Sequence, residues 1–185
     1  MAFEKDVEKA KEKSRKLKLF CHDIHGVLTT NTIFCDQEGN RRYGFWHMDG
    51  FGDLSFVAND IKIAFLDTTS VDTEGLFRAK ELKLDKFYYA VTNKTEKIEE
   101  LKKEYGIADE EVGMLCSDLS DIPAMKKMGF PVAVADALPE VKEVACYITN
   151  APGGRGAMRE LCEFVLRARG NWDTWVDKVT KMGYK

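Results

Sequence analysis

Apolar runs of four to seven residues alternate with amphipathic segments along most of the chain. From Ile61 onward the alternation is regular. Ile61 to Leu66, Lys86 to Ala90, Val112 to Cys116, Val132 to Ala135 and Cys146 to Thr149 predict strands. Between and after them, Asp72 to Leu82, Lys94 to Tyr105, Leu119 to Met128 and Ala157 to Arg169 predict helices. Before Ile61 the pattern predicts a lead-in helix over Phe3 to Arg15, solvated because Glu and Lys alternate at helical spacing, and a strand over Leu17 to Asp23. Thr32 to Phe34 and Arg42 to Trp46 flank the turn-forming residues Asp36 to Asn40, which predicts a β-hairpin, and Gly50 to Asn59 predicts a helix. The expected fold is therefore α/β, a parallel sheet with helices on both faces plus a hairpin. The expected organisation is a lead-in over residues 1–16, one domain over 17–169 with the hairpin at about 30–46, and a tail over 170–185.

Composition narrows the functions. The chain has 185 residues, 44% hydrophobic and 32% charged, enough for one packed core. A net charge of −3 argues against a nucleic-acid partner, which calls for a basic surface. Five cysteines without a close CxxC pair form neither a disulfide framework nor a zinc ribbon, and suit free thiols in a reduced compartment. The N-terminal residues contain no apolar leader, and no run of about 18 apolar residues occurs, so a cytoplasmic protein without a membrane partner is expected. The three histidines, His22, His25 and His47, all lie between positions 22 and 47.

Ligands of open parallel sheets collect beyond the carboxyl ends of the strands. At those ends stand Asp23 to Gly26, Asp67 to Ser70, Thr92 to Lys94, Ser117 to Asp121, and the loop Pro152-Gly153-Gly154-Arg155-Gly156 before the last long helix. Carboxylates, hydroxyls and a lysine on one edge suit phosphoryl transfer: an Asp attacks phosphorus, lysine and hydroxyls hold its oxygens, and acids hold Mg²⁺. Polar residues also crowd strand ends simply because loops are polar.

Asp23-Ile24-His25-Gly26-Val27-Leu28-Thr29 resembles the first motif of the haloacid dehalogenase superfamily, Asp-x-Asp-Gly-x-Leu-Thr. Pro131 to Ala137, Pro139 to Glu143 and Ala151 to Ala157 are similar to its small branch without a cap domain, the 3-deoxy-D-manno-octulosonate 8-phosphate phosphatases. The resemblance runs from Lys16 to Asp173 and implies a Rossmann-like fold with no cap. It implies Asp23 as nucleophile, His25 in the place of the acid and base, and Lys94 after Asn93 as the catalytic lysine. It implies phosphate or substrate contacts from Thr68, Thr69, Asn93, Asp49 and Arg155. It further implies a Mg²⁺ site using Asp23, Asp118 and Asp121, a phosphorylated sugar acid as substrate, and a homotetramer assembled through the hairpin, which covers the site in place of a cap.

The departures from the family pattern fall where the chemistry should be. His25 stands for the second Asp of the first motif, and Cys116-Ser117 for the Gly-Asp that opens the fourth. Thr69-Ser70 stands for the Gly-Arg that follows the second-motif Thr, and Met48 for the Arg before Asp49. Ser117 offers a metal a neutral hydroxyl in place of a carboxylate, so the implied Mg²⁺ site is weakened. His25 keeps a side chain able to give and take a proton, so it can still act as an acid and base. Asp23, His25, His47 and Asp118 also form a possible transition-metal set, since Zn²⁺ accepts both residue types. Cys116 is a possible reactive thiol. Asn171 to Trp175, with two of the three tryptophans, either caps a site or packs on its own subunit. Two functions stay open: a phosphatase of altered activity, or an inactive homologue that binds a ligand or serves as a tetrameric scaffold.

Overall fold

The computed structural model describes residues 5–69, 73–84 and 86–183. The first part holds α1 (Val7–Arg15), β1 (Leu19–His22), a hairpin of β2 (Phe34–Cys35) and β3 (Arg41–Arg42), α2 (His47–Val57) and β4 (Lys62–Leu66). The middle holds α3 (Thr73–Glu81), β5 (Phe87–Tyr88), α4 (Lys94–Tyr105), β6 (Val112–Cys116) and α5 (Ile122–Met125). The last part holds β7 (Phe130–Ala133), α6 (Pro139–Val144), β8 (Tyr147–Ile148), α7 (Ala157–Arg169) and α8 (Trp172–Met182).

Six strands form one parallel sheet in the order β5-β4-β1-β6-β7-β8. Every residue of β1, β6 and β7 is buried, the run expected of strands covered on both faces. Helices α1, α2 and α8 gather around α7, while α4 and α6 gather around α5. Phe20 of β1 meets Phe56 of α2 edge-on, with ring centroids 5.3 Å apart. Rings buried this way contribute about 2–3 kcal/mol each.

The expected α/β class holds and each expected sheet strand is present, but β7 runs two residues earlier, Phe130–Ala133 rather than Val132 to Ala135, and α2 begins at His47 rather than Gly50. The sheet strands β5 and β8 have two residues each, as do both hairpin strands. The helix expected over Leu119 to Met128 is a 3₁₀ turn, Leu119–Asp121, leading into a single short α5 with Pro123 in its first turn. α1 begins at Val7, capped by the side chain of Asp6, and packs Ala10 and Ser14 inward against α7 rather than standing in solvent. The tail is helical. Trp172 of α8 lies between Arg159 and Arg167 of α7, 4.8 and 5.1 Å from their guanidinium carbons, so it packs on its own chain. The helix start expected at Asp72 lies outside the described residues.

The glycine loop after β8 touches the loop after β1. A Cβ on Gly153 would sit 1.9 Å from the Gly26 carbonyl oxygen, and the Gly154 amide donates to the Val27 carbonyl at 2.8 Å. Only glycine permits this approach, and it ties Arg155 and the start of α7 to the edge that carries Asp23.

Candidate active site

Register fixes which strand ends meet. His22, the last residue of β1, pairs with Phe65 of β4 on one side and Leu115 of β6 on the other. Asp23, Asp67 and Ser117, each first after its strand, therefore stand together at the carboxyl edge of the sheet. Lys94 reaches the same place from the first turn of α4. Its Nζ donates to Asp23 Oδ2 and, at 2.6 Å, to Asp121 Oδ1, and all three side chains are buried. Asp121 Oδ2 accepts the amides of Ser117 at 3.1 Å and Asp118 at 3.3 Å, while Asp23 Oδ1 accepts the Ile24 amide at 2.7 Å.

Burial alone pulls the Lys94 ammonium down, but Asp23 and Asp121 outweigh it and hold the group protonated above its ordinary value. Burial pushes the Asp23 carboxyl above its ordinary range, with the lysine and the Ile24 amide opposing. A desolvated carboxylate is a stronger nucleophile than a hydrated one, and Lys94 keeps it in place.

Beside this pair, the Ser117 hydroxyl donates to the His25 carbonyl oxygen at 3.4 Å. Gly26 has φ +78°, and a Cβ there would meet Ser117 Oγ at 2.6 Å. The His25 ring lies 4.4 Å from the Tyr43 ring of the hairpin, and its Nε2 is 4.0 Å from Asp67 Oδ2.

The other expected site residues have mixed placements. Thr68 is exposed at the edge, next to Asp23's strand. Thr69 gives its amide and hydroxyl to Asp67, at 2.9 and 2.7 Å, while Ser70 lies outside the described residues. Asn93 caps α4 through the Glu96 amide at 3.1 Å. Arg155 is exposed in the glycine loop. Asp118 is exposed and accepts the Leu119 amide at 2.5 Å. Asp49 is fully buried, and its two oxygens accept the Gly156 and Arg159 amides at the start of α7, at 3.1 and 3.0 Å. Its carboxylate is thus engaged as a helix cap.

The transition-metal set is not assembled. His47 is exposed at the start of α2 against Phe51, and among the described residues no three His, Cys, Asp or Glu side chains group to hold a metal. Asp121 turns toward Lys94 and two amides. The reactive-thiol expectation for Cys116 is also corrected: burial pushes this thiol well above its ordinary value. Two buried groups were given no role from the sequence: Asp67, noted only as a strand-end residue, and the pair His22–Asp53. Asp67 had a signal, standing first after β4 as Asp23 stands first after β1.

Asp49 carries a pH prediction. Burial raises its carboxyl from 3.8 to about 6, against the pull of the Arg159 and Gly156 amides. Between these values the folded chain binds more protons than the unfolded one, so stability falls as pH rises. The difference in unfolding free energy between wild type and Asp49→Asn should shrink by about 2–3 kcal/mol across that window. A flat difference in denaturant titrations would contradict the assignment.

Comparison with known proteins identifies the family and the fold. The family of haloacid dehalogenase-like hydrolases matches residues 61–159. The chain is 34% identical over 161 residues to the 3-deoxy-D-manno-octulosonate 8-phosphate phosphatase of Escherichia coli K12, covering 87% of this chain and 85% of that protein. The phosphatase of that name from Moraxella catarrhalis, solved with magnesium, phosphate and 3-deoxy-D-manno-octulosonate, superposes with a TM-score of 0.90 at 29% identity, covering 94% and 99% of the two chains. The cobalt-bound phosphatase from Haemophilus influenzae gives 0.83 at 28% identity, over 88% and 94%. With the Asp23–Lys94–Asp121 centre on the carboxyl edge of this sheet, these similarities establish that the chain belongs to the haloacid dehalogenase-like hydrolases.

Proposed function

We propose that the protein is a phosphatase for a phosphorylated sugar acid of the 3-deoxy-D-manno-octulosonate 8-phosphate type, working through an aspartyl-phosphate on Asp23. The observation that carries this reading is the buried Lys94 ammonium bridging Asp23 and Asp121, which keeps a desolvated carboxylate facing the ligand edge. Asp23 attacks phosphorus, the P–O ester bond breaks, and the leaving alkoxide takes a proton from His25. Water then attacks the aspartyl-phosphate and gives a proton back to His25, which releases inorganic phosphate and restores Asp23. Lys94 and the Thr68 hydroxyl hold the phosphoryl oxygens, with Thr69 and Asn93 shaping their loops and Arg155 meeting the sugar acid's negative charge.

The oxygen donors beside Asp23 fit Mg²⁺ in type: the Asp23 carboxylate, the His25 carbonyl and the Ser117 hydroxyl, with Asp118 next in the chain. They fall short in charge, so the site is a weakened one. When bound, the ion neutralises charge on the phosphoryl group. Asp121 supports it from behind by holding the Ser117 and Asp118 amides.

A second reading, an inactive homologue that binds a ligand or acts as a scaffold, is favoured by His25 and Ser117 standing where the family pattern has carboxylates. For assembly we propose a homotetramer through the hairpin, where Ile33 and Phe34 are 49% and 61% exposed. The free cysteines suit a cytoplasmic setting, and none of the described helices is long and apolar enough to cross a membrane.

Phosphate release from a panel of sugar-acid phosphates, with Mg²⁺, Mn²⁺, Co²⁺ and Zn²⁺ in turn, tests the enzyme reading. We expect turnover by the wild type and a loss of at least ~10³-fold in Asp23→Asn, as when a nucleophile is removed. No release with any metal would leave only the second reading.

A further inference from the structure

His22 is the last residue of the central strand and is fully buried, 4.4 Å from the Phe65 ring. Its Nε2 lies 2.9 Å from Oδ1 of Asp53 in α2, which is also fully buried. Its Nδ1 lies 3.2 Å from the carbonyl oxygen of Asp23. A carbonyl only accepts, so Nδ1 carries a proton. The bond at Nε2 then requires either an imidazolium facing a carboxylate or a neutral imidazole facing a carboxylic acid, and both pairs have zero net charge. Asp53 Oδ2 has no hydrogen-bond partner among the described residues. A buried polar pair of this kind rarely stabilises a core better than two apolar side chains.

What the pair does hold is one peptide group. The carbonyl of Asp23 accepts from His22, and the amide of the same peptide unit, that of Ile24, donates to Asp23 Oδ1 at 2.7 Å. Rotating this peptide would break both bonds. Donation to its carbonyl also polarises its N–H, so the two bonds strengthen each other. With Oδ1 held, Oδ2 is left directed at Lys94.

We propose that His22 and Asp53 are positioning residues for Asp23, clamping the Asp23–Ile24 peptide so that the carboxylate keeps its attacking orientation. This rests on the reading of Asp23 as phosphoryl acceptor. The clamp touches no substrate and acts only through the backbone of the nucleophile.

The test is the paired apolar replacement His22→Leu with Asp53→Leu, which removes the clamp and leaves no buried charge. We expect a melting temperature near or above that of the wild type, an upfield move of the Ile24 amide proton resonance, and a kcat lowered on the order of ten-fold with KM little changed. Asp53→Asn is nearly isosteric, and its amide donates to Nε2 and so keeps the proton on Nδ1. It should recover most of both effects and remains available if the double variant folds poorly. An unmoved Ile24 resonance in the double variant, or a kcat loss in Asp53→Asn equal to complete removal of the pair, overturns the proposal. If the wild type itself releases no phosphate, the phosphatase reading fails while the Ile24 resonance still decides the clamp.

Discussion

Replacing Lys94 by Met should cost the fold about 3–5 kcal/mol, because it leaves two buried carboxylates without their shared cation. Asp23 and Asp121 are 5% and 0% exposed, and each gives one oxygen to the ammonium. Exposed ion pairs such as Lys181–Asp177 contribute at most about 1 kcal/mol and serve as the internal standard. The loss should be larger at neutral pH than in acid, where both carboxylates accept protons and no longer need a cation. Denaturant titrations at two pH values measure it. A cost below about 1 kcal/mol at neutral pH would mean that water or a bound ion, rather than Lys94, compensates the two carboxylates.

The second large effect is a gain. His25→Asp combined with Ser117→Asp restores two carboxylates where the family pattern has them, one of them beside the His25 carbonyl oxygen. Their repulsion with Asp23 should destabilise the metal-free protein, and added Mg²⁺ should reverse that loss by binding the folded state. Turnover should rise by about 10²–10⁴-fold, the range over which a well-placed acid and base act. Calorimetric Mg²⁺ titration and phosphate release read the two parts separately. Tighter Mg²⁺ binding without faster turnover would show that His25 already serves as the acid and base.

The sheet was legible because its central strands are buried on both faces and so appear as unbroken apolar runs, as in Val112 to Cys116. The marginal elements were less so. β5 and β8 are two residues long, too short for any period to show. α8 had a signal that went unused: Trp172, Trp175, Val176 and Val179 stand at helical spacing along the segment expected to be a tail. At the site, Asp23 and Lys94 were legible from strand ends and the family resemblance, whereas Asp121 was expected at the metal and instead holds Lys94 and two amides. Asp49 was expected at the substrate, and its capping of α7 depends on a contact 107 residues away in sequence. Strand alternation sends the His22 ring to the side of the strand away from Asp23. The missed point was that its ring reaches back to Asp23 through the backbone carbonyl, which no side-chain periodicity reports.

The central claim is that Asp23 accepts the phosphoryl group, and chemical trapping tests it most directly. Borohydride reduces an acyl-phosphate to an alcohol, so protein quenched during turnover of a sugar-acid phosphate should carry homoserine at position 23, detected by peptide mass spectrometry and absent without substrate. Phosphate release with residue 23 unmodified, or with the mark on Asp67, Asp118 or Asp121 instead, would contradict the account.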